Sequence, residues 1–189
     1  MKYRLLIGFL ILAFSSYAQQ QKINCIIKTS LGDIEVELYP RKAPVTVANF
    51  LKYIDNHLYD SSSFFRVTTP ANEAGREIRI EVIQGGDVPE EKMFDPIVME
   101  TTEQTGIHHE NGVISMARMG PDSATSHFFI CIGDQPELDY KGKRNPDGQG
   151  FAAFGMVTKG MEVVKKIQSG KEKDQYLIEP VLIYSISRM

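Results

Sequence analysis

Eight short apolar runs, each closed off by turn-forming residues, constrain this chain more than anything else in it. They are Ile23–Thr29, Ile34–Leu38, Phe64–Val67, Ile78–Gln84, Val113–Ala117, Phe128–Ile132, Ala152–Val157 and Val181–Ser187. Strand-like runs this short and this regularly spaced predict an all-β fold, a closed barrel or a sandwich. Two segments interrupt them with a helical period. Pro44 can open a helix because the first turn needs no N–H there, and Val47, Phe50, Leu51, Ile54 and Leu58 then fall on one stripe. Met161–Gln168 presents Val163, Val164 and Ile167 and stops at Ser169-Gly170. A barrel has two open ends, and two amphipathic helices are what would close them. No repeat, low-complexity tract or linker divides residues 22–189.

The beginning of the chain follows a different rule. A short basic start with Lys2 and Arg4 precedes the apolar run Leu5–Phe14, and Ser16-Tyr17-Ala18 offers small residues at cleavage positions. This is the pattern of a signal peptide over 1–18, which predicts export to a periplasmic or extracellular space. The competing reading is an uncleaved anchor, but ten apolar residues fall short of the ~20 that a spanning helix needs. No cysteine follows the cleavage site, so lipid attachment is not indicated. Residues 19–189 then form one domain, with no stable membrane insertion once the leader is gone.

Charge narrows the partners. The formal net charge is −3, and loss of Lys2 and Arg4 takes it to −5, since residues 1–18 hold no acid. A mildly acidic chain without a basic run argues against nucleic acid and anionic membrane surfaces. Cys25 and Cys131 lie far apart on predicted strands. Export permits a disulfide, while both positions read equally as small buried apolar residues; free, buried thiols are the preferred reading. A monomer is the default, because no obviously exposed apolar helix stands out.

The chemistry-bearing stretch is Ser115 to Ile132. Gly112–Ala117 leads into the turn-rich Gly120-Pro121-Asp122-Ser123, and a second strand-like run follows from His127. Strand alternation puts His127, Phe129 and Cys131 on one face and Phe128, Ile130 and Ile132 on the other. A strand has one side to give to a core, so one aromatic ring is left over for a pocket. Upstream stand Phe64-Phe65-Arg66-Val67 and Val82-Ile83-Gln84-Gly85-Gly86-Asp87, where Val82 and Gln84 share a face.

Together these pieces resemble the cyclophilin family of peptidyl-prolyl isomerases. The likeness also takes in Thr29–Leu38, Ala43–Phe50, Glu137-Leu138-Asp139 and Phe154–Met161, in the family's order. It implies a closed eight-stranded antiparallel barrel capped by two α-helices, and an activity on X–Pro bonds without a cofactor. Arg66 takes the position of the family's catalytic arginine. The assignment is chemically sound: rotation about X–Pro is slowed by amide resonance, and a guanidinium carries several donors in a rigid fork to meet the prolyl nitrogen once the amide twists. That bond forms only in the twisted state, so it favours the transition state. The resemblance further implies that Phe129 floors a proline pocket with Leu138 as a wall. Gln84 would bind substrate backbone and position the arginine, while Ala117 and the backbone of Arg118 would pair with the substrate main chain.

The departures are specific. His127 stands where many members have glutamine, which introduces pH sensitivity. Val82 and Glu81 occupy a region where larger apolar residues line the pocket, predicting a smaller, more polar wall. Arg118 replaces a common asparagine, Phe151 falls where histidine or an aromatic occurs, and Glu137 stands where tryptophan or phenylalanine is frequent. The chain has no tryptophan at all, so weak or no cyclosporin binding is expected. The residue preferred before proline would depend on Arg118, Met119 and His127. Val67–Ile83 is longer than in compact members, with Thr69–Gly75 as a projecting loop, and Asp139–Gln149 forms a second long loop. Either could extend the groove, with surface decoration the default.

Weaker constellations carry less. His108-His109-Glu110 invites a metal, but adjacent histidines on extended chain point apart and no spaced partners accompany them. Asp139–Asp147 lacks calcium-loop spacing. Ser123, Ser126 and His127 make no recognisable nucleophile set. Two readings remain: an exported prolyl isomerase acting on proline-containing segments of exported proteins, favoured by Arg66, Gln84 and Phe129, or a non-catalytic holdase of the same shape, favoured by Val82 and Glu137.

Overall fold

A computed structural model describes residues 22–189; the expected leader at 1–18 lies outside them. Nine strands form one sheet: β1 (Ile23–Thr29), β2 (Gly32–Leu38), β3 (Ser63–Val67), β4 (Val82–Gly85), β5 (Val113–Met116), β6 (Phe128–Cys131), β7 (Ala152–Lys159), β8 (Glu172–Lys173) and β9 (Tyr176–Arg188). Their order is β1-β2-β7-β5-β6-β4-β3-β9, and β1 pairs with β9 to close the ring. Every pairing is antiparallel. The result is the expected eight-stranded antiparallel barrel, with the two-residue β8 appended to β9 through a tight turn. Closure leaves no long sheet edge unpaired.

The helices are α1 (Pro44–Asp55), α2 (Thr102–Thr105) and α3 (Met161–Gln168). α1 turns Val47, Phe50, Leu51 and Ile54 to the core against β7 and β9. Its preceding residue, Ala43, has no side-chain acceptor, and the Glu100 carboxylate serves instead. It accepts from the N–H of Val45 at 3.1 Å and that of Thr46 at 2.8 Å, where a negative charge also meets the helix dipole. α3 buries Val163, Val164 and Ile167 and packs on β2, β3 and β4. Leu58 falls past the end of α1, in the turn that follows, and still packs against the core.

Three expectations need correction. The run 78–84 pairs as a strand only from Val82, because the backbone before it is held by side chains: Gln135 Oε1 accepts from Glu81 N at 3.2 Å and Thr68 Oγ1 from Val82 N at 2.9 Å. The last strand begins at Tyr176 rather than Val181. The helix α2 was not expected, although Thr101 and Gln104 form a reciprocal capping box that the sequence carries openly.

The barrel interior is one core in which Phe128 meets Phe50, Tyr59 and Phe64 edge-on at 5.4–5.7 Å between centroids. A second, smaller cluster lies outside the sheet: Ile80, Val82, Phe129, Cys131 and Leu138, with Ala117 and Phe151 against it. The alternation along β6 therefore divides as expected. The Gly85-Gly86 pair lets β4 pass this close to the aromatic core. A Cβ at Gly85 would meet the Phe64 ring at 2.8 Å, and one at Gly86, where φ is 82°, would meet the Phe128 ring at 2.9 Å. Cys25 and Cys131 are free and buried, and burial pushes the Cys25 thiol up to about 11. Among the described residues, no helix is long and apolar enough to cross a membrane.

Candidate active site

Strand register assembles the site. Arg66 on β3 is the Cα partner of Gln84 on β4, Gln84 is the partner of Phe129 on β6, and Phe129 is the partner of Ser115 on β5. On its other side Arg66 faces Tyr176 on β9. Directly paired residues share a face, so these side chains stand in one row across adjacent strands. The register of β3 shifts between Phe64 and Arg66 against both neighbours. Such a bulge re-aims side chains: Phe64 stays in the core while Phe65 and Arg66 both reach the outer cavity.

The cavity measures about 440 Å³ and brings together all ten residues singled out from the sequence: Arg66, Val82, Gln84, Ala117, Arg118, Met119, His127, Phe129, Leu138 and Phe151. Phe129 is 4% exposed and Met119 98%, so the first belongs to the floor and the second to the rim. Phe151 meets Phe129 edge-on at 5.3 Å. The Arg66 guanidinium donates Nη1 to Gln84 Oε1 at 2.8 Å, and Nε and Nη2 to Gln175 Oε1 at 3.1 and 2.5 Å. Those three bonds use three of the five guanidinium N–H groups. Burial pulls the Arg66 pKa below its ordinary value, with Tyr176 and Glu73 pulling it back; a guanidinium stays charged nonetheless.

Beneath the floor lies an arrangement that the sequence reading missed. Asp139 Oδ1 bonds His109 Nδ1 at 2.6 Å, and His109 Nε2 lies 3.0 Å from Ser115 Oγ. This is the connectivity of a hydrolase triad, but Ser115 is fully buried and His109 stacks on Phe129 at 5.9 Å. A serine walled off by its own base and a phenylalanine cannot attack a substrate. The chain Asp139–His109–Ser115 holds the floor in place. His108 Nδ1 also meets Asp139, at 2.9 Å. The two histidines thus converge on one carboxylate rather than pointing apart, because 107–110 is not a strand. Burial lowers the His109 pKa, partly countered by Asp139.

The expected polar wall is absent from the cavity. Glu81 turns away and accepts from Gln168 Nε2 at 3.2 Å, while Ile80, 6% exposed, supplies the wall beside Val82. Glu137 also lies off the cavity, its Oε2 accepting from Lys143 N at 2.8 Å. Nor are the two long loops decoration. The insertion contributes Arg76 and Ile80 to the lining, and the 139–149 loop contributes Arg144 and Asn145. Arg118 ties that second loop down through a two-point pair with Asp147 at 2.8 Å each, a bond from Nε to Gly150 O at 2.7 Å, and its position 5.2 Å from the Phe151 ring centre.

A family model described as cyclophilin type peptidyl-prolyl cis-trans isomerase/CLD matches residues 25–188. The chain belongs to this family. It is 39% identical over 146 residues to a peptidyl-prolyl cis-trans isomerase of Acinetobacter baylyi, covering 75% of this chain and 69% of that protein. It is 38% identical over 161 residues to peptidyl-prolyl cis-trans isomerase A of Dickeya dadantii, covering 82% and 76%. The fold is shared with a Cryptosporidium parvum cyclophilin-type isomerase whose crystal structure was determined in the presence of the dipeptide Ala-Pro. That match has a TM-score of 0.70 at 21% identity and covers 88% of this chain and 98% of that one. The resemblance noted from the motifs and the family match agree, and the chain is a cyclophilin-type peptidyl-prolyl cis-trans isomerase.

Phe65, Arg76, Ile80, Arg144, Asn145 and Tyr176 in the lining, with Gln175 and Glu73 behind Arg66, are the residues that sequence reasoning did not assign to the site. Phe65 alone carried a signal, as the second aromatic of a strand-like run; Tyr176 lies ahead of the expected strand start at Val181, and the others follow from where two loops and a turn fold.

Proposed function

We propose that this cyclophilin isomerises X–Pro bonds in extended segments of exported proteins, assisting their folding outside the cytoplasm, with Arg66 as the group that touches the prolyl nitrogen. The observation that carries the reading is the row Arg66–Gln84–Phe129, set by Cα pairing across three adjacent strands over one cavity. The proline ring rests on Phe129 between Val82, Ile80 and Leu138. The N–H groups of Arg66 outside its three internal bonds meet the nitrogen lone pair as the amide twists. Gln84 keeps the guanidinium from following the substrate. A 10⁵-fold acceleration corresponds to about 7 kcal/mol from these terms together. Neither a nucleophile nor a proton transfer is needed.

The holdase reading rested on Val82 and Glu137. Glu137 lies off the cavity and Val82 is backed by Ile80, so nothing at the site favours capture without turnover. Cyclosporin binding is expected to be weak or absent, and calorimetry showing tight binding would overturn that. The deciding assay is NMR exchange on an Ala-Pro peptide, wild type against Arg66→Ala. A loss of about 100-fold, or ~2.7 kcal/mol, is expected; equal rates refute the assignment of Arg66. Export is tested by the amino terminus of the mature protein, expected near Gln19.

A further inference from the structure

Gln175 occupies a position that its side chain alone explains. The turn between β8 and β9 is Asp174-Gln175, with φ of 55° and 73°. Positive φ at both central residues is the mark of the tight hairpin turn whose second place ordinarily goes to glycine. A glutamine there holds a conformation that costs it more than it would cost glycine. Its backbone is fixed: Gln175 N donates to Glu172 Oε2 at 2.6 Å, and Val67 N donates to Gln175 O at 2.8 Å. The side chain then crosses to Arg66, two of whose N–H groups it accepts.

An amide can present its oxygen to Arg66 only if its NH₂ end has an acceptor on the other side. Glu73, from the insertion, is that acceptor: Gln175 Nε2 donates to Glu73 Oε1 at 2.6 Å. Glu73 is fully buried. Arg144 of the 139–149 loop grips both its oxygens, Arg76 lies 3.3 Å from it, and Arg144 also donates to Ile78 O at 2.7 Å. The two loops thus meet on one carboxylate behind the catalytic arginine.

We infer that Gln175 and Glu73 are positioning residues for Arg66: the buried carboxylate orients the Gln175 amide, and that amide holds the guanidinium edge that does not face substrate. The inference rests on the isomerase reading above. Gln84 holds one end of the guanidinium and Gln175 the Nε edge. With both in place the fork cannot rotate, and a donor fixed before the amide twists loses nothing on meeting it.

Two variants test it, assayed by NMR exchange on an Ala-Pro peptide alongside peptide Kd and thermal melting. Gln175→Gly relieves the turn while removing the amide. We expect the melting temperature unchanged or raised, Kd within about twofold, and turnover lowered about tenfold. Gln175→Glu sets two carboxylates face to face and is expected to lose a similar factor. Undiminished turnover in Gln175→Gly, with Arg66→Ala inactive, overturns this inference and leaves the isomerase reading standing. So does a Gln175→Glu variant that turns over as fast as wild type. An inactive wild type overturns both.

Discussion

Arg66 and Gln84 are direct partners across β3 and β4, and the Arg66 Nη1 donates to the Gln84 amide oxygen at 2.8 Å. Because Gln175 takes the other edge, the arginine bridges two amides on opposite sides of β3, one on β4 and one in the turn that leads into β9. The side chain is therefore held by planarity as much as by charge.

Arg66→Lys tests that distinction. An ammonium keeps the positive charge but is a single point that cannot reach Gln84 and Gln175 together while still offering a donor to substrate. Turnover on an Ala-Pro peptide is expected to fall at least tenfold, ~1.4 kcal/mol, with little change in stability. Near-wild-type turnover would mean that charge alone suffices.

Phe128 and Phe129 are adjacent, both nearly inaccessible, and belong to different clusters. Phe128→Ala removes a ring packed edge-on against three others inside the barrel and should cost about 3–5 kcal/mol of stability. Phe129→Ala opens the floor of the external cavity and should weaken peptide binding and turnover at a smaller cost to the fold. Urea denaturation and isomerase assays on the two variants check this; matching profiles would contradict the two-cluster architecture.

That division was readable in the sequence because strand alternation is local: whichever face Phe128 takes, Phe129 takes the other. The fold was readable for the same reason, since the eight barrel strands and both long helices carry their own period. Arg66, Gln84 and Phe129 came through the family motif, which compresses register information that no single strand contains. What stayed hidden has no period. Gln175 reaches Arg66 across 109 residues from a two-residue turn, and β8 is too short to alternate. Glu73 looked like one more acid in a polar loop; only folding shows that two loops close over it. His109 and Ser115 meet because 107–110 bends back beneath Phe129, a path set by Asp139 thirty residues on.

His127 lines the cavity beside Phe65, 5.3 Å between ring centres. Burial lowers its pKa below the ordinary histidine value, with the Asp87 charge pulling it partly back. The unfolded chain therefore binds more protons than the folded one in the window below about 6.5. Stability should rise with pH across that window, be complete above it, and be lost as pH falls toward the depressed folded value. His109 has the same sign, so His127→Gln should reduce the slope without abolishing it. Urea melts from pH 5 to 7 measure this, and an unchanged slope in the variant would contradict it.

The Glu73–Arg144 pair should be the costliest ion pair to break. Glu73 is fully buried and the Arg144 side chain is 8% exposed, whereas Arg188 and Asp55 pair with side chains 46% and 50% exposed. Burial and Arg144 act oppositely on Glu73: desolvation raises its pKa, while hydrogen bonds from Arg144 and Gln175 and the charges of Arg144 and Arg76 outweigh it and hold the carboxyl below its usual range. The pair is ionised, and removing one member strands a buried charge. Arg144→Ala is expected to cost about 3–5 kcal/mol, and Arg188→Ala under about 1 kcal/mol. Because the damage in Arg144→Ala comes from the charge left behind, adding Glu73→Ala should cost far less than a second such loss, and the cycle should be strongly non-additive. Denaturant unfolding of the two single variants and the double decides it. Small, additive losses would show that water reaches the carboxylate and that the two loops are not locked together there.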